Sequence, residues 1–501
     1  MSSTAIVVEQ PGLAPAGLDA DAAYAALAAR DRRFDGRLWF GVTSTGVYCR
    51  PVCPAQTPKP QNVRFFAAPA AAVSAGFRAC RRCRPDSAPG SRHWDHRGDL
   101  VGRALRLIAD GAVDDGGVAG LARTLHVSER HLHRSLIGEV GAGPLQLAVS
   151  RRAQTAKLLV EQTDLPLAEI AFASGFSSIR QFNDVMRREF GIAPSGLRRT
   201  PAAGVAAADP ALVLRLRLRP PYDAGALGAF LSARAVTGLE EHTPGRRWTH
   251  RRVVPLPTRA AVAEVSVHAD HVVVRSGADL RDTAALVRRV RRWLDLDADP
   301  ATVDLALASD PALERLLRGR PGLRVPTTVD PWETMVRAVV GQQVSVAAAG
   351  TLLGRLVAAH GTEVAAGLRT FPRAETLAAV DPSTITGMSS ARARTIVTVA
   401  AAVASGAVEL SSPDVEEVEA ALLALPGVGP WTTGYVRLRA LGDPDAFPAS
   451  DLGLRHAARA LGLPDDSRAL AARAAAWSPW RSYAAQHLWT SLAPASPEEI
   501  S

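Results

Sequence analysis

The chain is expected to be multidomain and mainly α-helical. A small metal-bound α/β domain comes first, a double helix-turn-helix domain follows, and an α+β region with a small β-sheet subdomain and a helix-hairpin-helix domain closes the chain. Three observations predict this order. All four cysteines, Cys49, Cys53, Cys80 and Cys83, fall in one short stretch. Apolar residues over 100–200 recur at helical spacing in two successive units. Leu425-Pro426-Gly427-Val428-Gly429-Pro430-Trp431 reads as a tight hairpin between helices. With 501 residues the chain exceeds what one core organises, so three or four domains are expected. Their expected bounds are a loose tail over 1–22, the metal domain over 23–92, the helix-turn-helix domain over 97–200 and a linker over 201–211. The sheet subdomain is expected over 212–298 and the helix-hairpin-helix domain over 299–494.

The cysteines form a C-x3-C and a C-x2-C pair. Zinc holds four thiolates tetrahedrally, and two tight pairs on separate turns deliver that geometry at little cost in chain entropy. Arg50, Lys59, Arg64, Arg78, Arg81, Arg82 and Arg84 crowd the same segment, and such a basic ring favours a phosphate-rich partner. A purely structural zinc knuckle has the same spacing. The intervening strings narrow the choice: Tyr48-Cys49-Arg50-Pro51, Asn62-Val63-Arg64-Phe65-Phe66 and Gly76-Phe77-Arg78-Ala79-Cys80-Arg81-Arg82-Cys83-Arg84-Pro85 resemble the N-terminal domain of the bacterial Ada methylation-response family. The resemblance implies that the first zinc-bound cysteine, here Cys49, takes a methyl group irreversibly from a methylated DNA phosphate. The neighbouring arginines, Arg50, Arg64 and Arg78 among them, are expected to bind the flanking intact phosphates. The chemistry is sound in itself, because zinc keeps a thiol deprotonated at neutral pH and an uncharged phosphotriester admits an anionic nucleophile. Transfer turns a thiolate into a thioether, and one charge fewer near a phosphate backbone is worth about 1 kcal/mol or more.

Charge is unevenly shared, with 26 Lys and Arg against 18 Asp and Glu over residues 1–200 and 32 against 31 over the rest. The basic N-terminal portion argues for nucleic acid there. No segment approaches the roughly 18 continuous apolar residues of a membrane span. The first twenty residues do not read as a secretion signal, and reduced thiolates agree with a cytoplasmic location.

In the first helix-turn-helix unit, Val118 to Ala122 leads to a turn at Val127-Ser128, where Ser128 is expected to cap a helix bearing Arg130, His131, His133 and Arg134. In the second, Gly175 ends a helix and Ser177 or Ser178 caps the next. There Ile179, Phe182, Met186 and Phe190 are expected on one apolar stripe, leaving Arg180, Gln181, Asn183 and Arg187 outward to reach base edges. Ala171-Phe172-Ala173-Ser174-Gly175-Phe176-Ser177-Ser178 and Phe190-Gly191-Ile192-Ala193-Pro194 resemble the AraC-type DNA-binding domain, which also follows the zinc domain in Ada. Two such units can enter adjacent major grooves, so a monomer on an asymmetric site is expected.

Past the linker, Leu214, Leu216 and Leu218 alternate with arginines, and Val262 to Val274 holds two β-rich runs round a turn at His268 to His271. Helical patterning resumes from Asp282. The Gly427 and Gly429 hairpin can offer backbone N–H groups to a DNA phosphate, and Phe447-Pro448-Ala449-Ser450-Asp451 places a carboxylate at the next helix start. Together these resemble the helix-hairpin-helix superfamily of base-excision glycosylases, which implies that Asp451 is catalytic, stabilising positive charge on the sugar as the base leaves. Pro220-Pro221-Tyr222-Asp223, Arg320-Pro321-Gly322-Leu323-Arg324, Gly341-Gln342 and Trp480-Arg481-Ser482-Tyr483 are similar to the AlkA family of 3-methyladenine DNA glycosylases over roughly 212–494. By position Trp431, Tyr435 and Trp489 match that family's base-pocket aromatics. Gln343 stands where the family's Escherichia member has a wedging leucine, so support for base flipping is altered. No lysine follows Lys157 and no cysteine follows Cys83, which argues against a Schiff-base lyase and an iron–sulfur cluster; the guanine-repairing half of Ada has no counterpart.

The expected function is therefore an alkylation-response fusion: a methyl-accepting sensor and activator joined to a monofunctional 3-methyladenine glycosylase. One zinc ion and double-stranded DNA are expected, and the resemblance adds RNA polymerase and a monovalent cation at the hairpin. Two alternatives stay open, a sensor carrying an inactive glycosylase domain and a zinc-stapled DNA-binding protein whose Cys49 never reacts.

Overall fold

A computed structural model describes residues 7–8, 20–28, 38–51, 53, 55–66, 68–80, 83, 85, 99–198, 212–365, 367–412, 415–478 and 480–492. Arg81, Arg82, Arg84 and the expected linker lie outside the described residues. By packing, the chain divides into two compact units, residues 1–213 with 279–288 and residues 214–278 with 289–501.

The first unit opens on a five-stranded sheet in the order Val7–Val8, Val63–Phe66, Trp39–Val42, Val47–Cys49, Arg78–Ala79. Two residues of the expected loose tail are thus ordered, since Val7 and Val8 pair in parallel with Arg64 and Phe65. A helix begins at Ala20, also inside that expected tail. Large apolar residues make the sheet cohere: Leu38, Trp39, Phe40, Tyr48, Val63, Phe65 and Phe66 are all buried, and such faces supply most of a small domain's stability.

Seven helices follow. Those at Asp99–Asp110, Ala112–Thr124 and Glu129–Val140 form the first helix-turn-helix unit around Leu121, Leu132 and Leu136. The long Pro144–Gln162 helix packs against both units, and Leu167–Ala173, Ile179–Phe190 and Pro194–Leu197 form the second. Ser128 caps the Glu129 helix by accepting from His131 N, and Ser178, not Ser177, caps the Ile179 helix by accepting from Gln181 N. Gly175 has φ +88°, and a Cβ there would lie 2.9 Å from the Asp114 carboxylate, which Arg151 and Arg152 hold. One expectation fails here: Ile179 is 43 % exposed and Val185 takes its place in the core. Ile179 keeps the helical period, but it sits in the first turn, where fewer neighbours cover it.

In the second unit, Leu212–Arg217, His271–Ser276, Ala261–Val267, Thr249–Val254 and Glu240–Thr243 make one sheet in that order, with pairs antiparallel from His271–Ser276 onward. The last two strands carry charged and polar residues and escaped the alternation test. The Ala224–Arg234 helix follows the first strand. Among the described residues the remaining elements are helices apart from a short pairing of Glu363–Ala365 with Leu368–Arg369. Buried Arg252 bonds Glu240 and Glu333, and Arg337 bonds the same two carboxylates, joining the sheet to the Pro331–Val340 helix. Burial pushes the Glu240 carboxyl up, but Arg337 and Arg252 outweigh it and hold it well below the usual range.

Candidate metal centre and base pocket

Parallel pairing of Tyr48 with Ala79 brings Cys49 and Cys80 to the same end of adjacent strands. Tight turns then return Cys53 and Cys83, with Cys53 N donating to Arg50 O at 3.0 Å. The four sulfurs lie within 4.8 Å of one another and all four residues are buried. Cys53 and Cys80 sulfurs stand 3.9 Å apart, close to the roughly 3.8 Å edge of a tetrahedron built on Zn–S bonds of about 2.3 Å. Sulfurs this close cannot all ionise alone. As thiolates the four sulfurs would repel one another at this range. A central dication resolves that conflict, so the donor set fits zinc. Cys49 also lines a small hollow with Leu27, Phe40, Val42, Pro51 and Thr57 among its walls.

The predicted arginines divide. Arg50 turns inward, its N–H donating to Cys83 Sγ at 3.4 Å and its Nη1 to Cys83 O at 3.3 Å. Arg64 is half-buried over the Phe66 and Phe77 rings at 5.7 and 5.8 Å. Arg78 is exposed. On the helix-turn-helix units Arg130, His131, Arg134 and Arg180 are exposed, with Arg134 Nη2 3.5 Å from His131 Nδ1. The Gln181 amide oxygen accepts from Ser177 N at 3.2 Å and Ser177 Oγ at 3.0 Å, so one end of that side chain is committed to its own helix start and its NH2 group faces outward duties alone.

In the second unit the Val415–Leu423 and Pro430–Val436 helices flank the hairpin. Gly427 has φ +84°, and a Cβ there would lie 2.0 Å from Thr395 Oγ1, so only glycine fits. Gly429 caps the second helix and Pro430 starts it. Gln342 Nε2 donates to Gly427 O at 3.0 Å and to Thr432 Oγ1 at 2.9 Å, tying the hairpin to the turn that bears Gln343. Gln343 is exposed with φ +55°, a left-handed conformation costly for a side chain of its length.

Asp451 caps the Leu452–Ala460 helix, its Oδ1 accepting from Leu454 N at 2.9 Å. Two indoles clamp the same carboxylate: Trp431 Nε1 donates to Oδ2 and Trp489 Nε1 to Oδ1, each at 2.8 Å. Tyr435 stacks on Trp431 with centroids 5.5 Å apart. Chain separations of 20 and 38 residues are thereby closed round one group. By contrast Trp477 is buried and donates to Asp310, and the Tyr483 hydroxyl donates to Asp295, so these serve the core. Two further neighbours of the site, Arg439 and Phe230, carry no expectation from the sequence. Arg439 lies over Trp489 at 5.2 Å and over Phe230 at 4.7 Å. The signal for Arg439 was its spacing of four and eight residues from Tyr435 and Trp431; nothing local marks Phe230.

Paired helix-turn-helix units beside a four-thiolate centre, followed by a helix-hairpin-helix fold with a carboxylate-centred aromatic site, define a DNA-binding repair protein. Four family models match in chain order: the metal binding domain of Ada over 22–86, a helix-turn-helix domain over 121–200, the AlkA N-terminal domain over 213–330 and the HhH-GPD superfamily of base excision DNA repair proteins over 336–482. The chain is 48 % identical over 483 residues to the "Probable bifunctional transcriptional activator/DNA repair enzyme AlkA" of Mycobacterium tuberculosis, covering 95 % of this chain and 97 % of that one. It is 34 % identical to DNA-3-methyladenine glycosylase 2 of Escherichia coli over 55 % of this chain and 95 % of that protein. It is 36 % identical to the bifunctional transcriptional activator/DNA repair enzyme Ada of the same organism over 25 % of this chain and 34 % of that one. The chain belongs to the family of AlkA-type bifunctional transcriptional activator/DNA repair enzymes.

Proposed function

We propose that the protein both senses and repairs alkylated DNA: Cys49 accepts methyl groups from methyl phosphotriesters, the helix-turn-helix units carry the methylated form to promoters, and the C-terminal unit hydrolyses the glycosidic bond of 3-methyladenine and related bases. The observation that carries the repair reading is the Asp451 carboxylate held by two indole N–H groups beside stacked aromatic rings.

In the first reaction the Cys49 sulfur attacks the methyl carbon, an S–C bond forms, the C–O bond breaks, and the phosphate oxygen leaves with the electron pair as an ordinary diester anion. Zinc, when bound, supplies deprotonation of the thiols at neutral pH. Cys53, Cys80 and Cys83 hold Cys49 in place, and the Arg50 N–H bond to Cys83 fixes the loop. Methylation leaves the cluster one charge less negative and so less opposed to DNA.

In the second reaction water adds to the sugar carbon, the C–N bond breaks with its electrons going to the base, and the water proton passes to Asp451 or solvent. Asp451 stabilises the developing sugar charge, and the clamp keeps its oxygens directed. Trp431, Tyr435 and Trp489 stack the flipped base, Gln343 fills the vacated helix, and the hairpin N–H groups grip the backbone. Arg130, His131, Arg134, Arg180 and Gln181 meet promoter DNA, with Arg50, Arg64 and Arg78 supporting the sensor. RNA polymerase contact and a monovalent cation at the hairpin carbonyls complete this reading.

DNA bearing radiolabelled methyl groups, incubated with wild type and Cys49→Ala, tests it. Label on wild-type protein together with free methylpurine, and only the former lost in the variant, is expected. Absence of free methylpurine from wild type would reduce the C-terminal unit to a silent fold.

A further inference from the structure

Trp431, Tyr435 and Arg439 follow one another at intervals of four on the helix after the hairpin, and the stretch Arg437–Leu441 that carries the arginine winds as a π-helix. Such a widened turn re-aims the side chains it bears and recurs at functional sites. Arg439 is 4 % exposed. Its Nη1 donates to Pro326 O at 2.8 Å and its Nη2 to Gln486 Oε1 at 2.6 Å, both uncharged acceptors. Among the described residues no carboxylate forms an ion pair with it. Burial pushes its guanidinium down to about 10, so it remains charged at neutral pH.

The guanidinium lies over two rings at the site, Trp489 at 5.2 Å and Phe230 at 4.7 Å. Phe230 also carries Arg234 at 4.1 Å. Arg439 is covered, whereas Trp489 is half-buried. A ring already facing a cation attracts a second cation less, because the two positive charges oppose one another through it. Asp451, one indole away, pulls in the reverse direction. Arg439 thus offsets part of the Asp451 charge.

We propose that Arg439 is a specificity-determining positioning residue: by balancing Asp451 through Trp489 and Phe230 it prevents the pocket from favouring cationic N-alkylated purines overwhelmingly, and so keeps uncharged damaged purines among the substrates. This rests on the glycosylase reading above. Without Arg439, Asp451 would be opposed only by Arg234 across Phe230, and the pocket would shift toward cationic bases.

Single-turnover release is measured from duplexes carrying 7-methylguanine, a cation, or hypoxanthine, which is uncharged, and the quantity read is the ratio of the two rates. The ratio does not depend on how much of a variant is folded. Arg439→Met and Arg439→Gln, the second keeping a donor for Pro326 O, are expected to raise the cationic-to-uncharged ratio about tenfold. Arg439→Lys, which keeps the charge, holds the ratio within about twofold of wild type. An unchanged ratio in Met and Gln overturns the proposal, as does loss of both activities in Met and Gln with full activity in Lys, which would make Arg439 a folding residue. Wild type releasing only 7-methylguanine also overturns it while leaving the glycosylase reading intact; wild type releasing neither base overturns that reading itself.

Discussion

Asp451→Asn removes the charge at the centre of the base site while keeping its shape. The carboxylate receives three bonds, from Leu454 N and Trp489 Nε1 on Oδ1 and from Trp431 Nε1 on Oδ2. Asparagine caps helices as well as aspartate, so its amide oxygen is expected to stay with Leu454 N and Trp489, leaving the amide nitrogen opposite the Trp431 indole. Two donors then face each other. An unmet, part-buried donor costs about 1–3 kcal/mol, so the variant should fold but melt a few degrees lower. Loss of a preorganised charge that stabilises the transition state should slow base release by about 100- to 1,000-fold, or about 3–4 kcal/mol. The assay is single-turnover release of 7-methylguanine from duplex DNA under excess protein, with the melting curve recorded beside it. A folded Asp451→Asn protein releasing base within about threefold of the wild-type rate would refute the role assigned to this carboxylate.

Removing zinc with a strong chelator should unfold the region around Cys49 to Cys83, since metal binding in such sites supplies on the order of 10 kcal/mol; circular dichroism and thiol reactivity would report it, while base release should persist. Gly427→Ala should weaken affinity for abasic duplex at least tenfold by fluorescence anisotropy, because the new methyl meets Thr395 Oγ1 at 2.0 Å and the left-handed backbone adds about 1–2 kcal/mol of strain. Adding Thr395→Ala should recover only the steric part. Glu240 has a folded carboxyl value held below its unfolded one, so its contribution is complete above the ordinary value near 4.5 and is lost as pH falls from there through the lower folded value. Glu240→Gln should flatten that acid limb of the denaturation curve and cost about 3 kcal/mol at neutral pH, as urea unfolding would measure.

Much of the molecule was legible locally. Serine caps ahead of the Glu129 and Ile179 helices, the Pro/Gly hairpin and the paired cysteines each act over a few residues, where spacing alone constrains geometry. The strands Glu240–Thr243 and Thr249–Val254 were not legible, because their charged residues join an internal ion network and so break the apolar alternation that marks a strand. Ile179 failed for the opposite reason, an apolar residue at the right period with too few neighbours to cover it.

The sequence by itself determined which chemistry the chain could hold: four thiolates in two tight pairs, a glycine-bound hairpin and a carboxylate at a helix start, all within reach of single turns. Only the tertiary structure decided what surrounds them. It bent Arg50 back onto Cys83, tied Gln342 to the hairpin 85 residues away, set Trp489 and Trp431 on the two oxygens of Asp451, and drew Phe230 and Arg439 to one site. Local spacing governs contacts closed by a turn, whereas contacts across some twenty to two hundred residues exist only once burial of the core has brought distant elements together, and no periodicity records that partner choice.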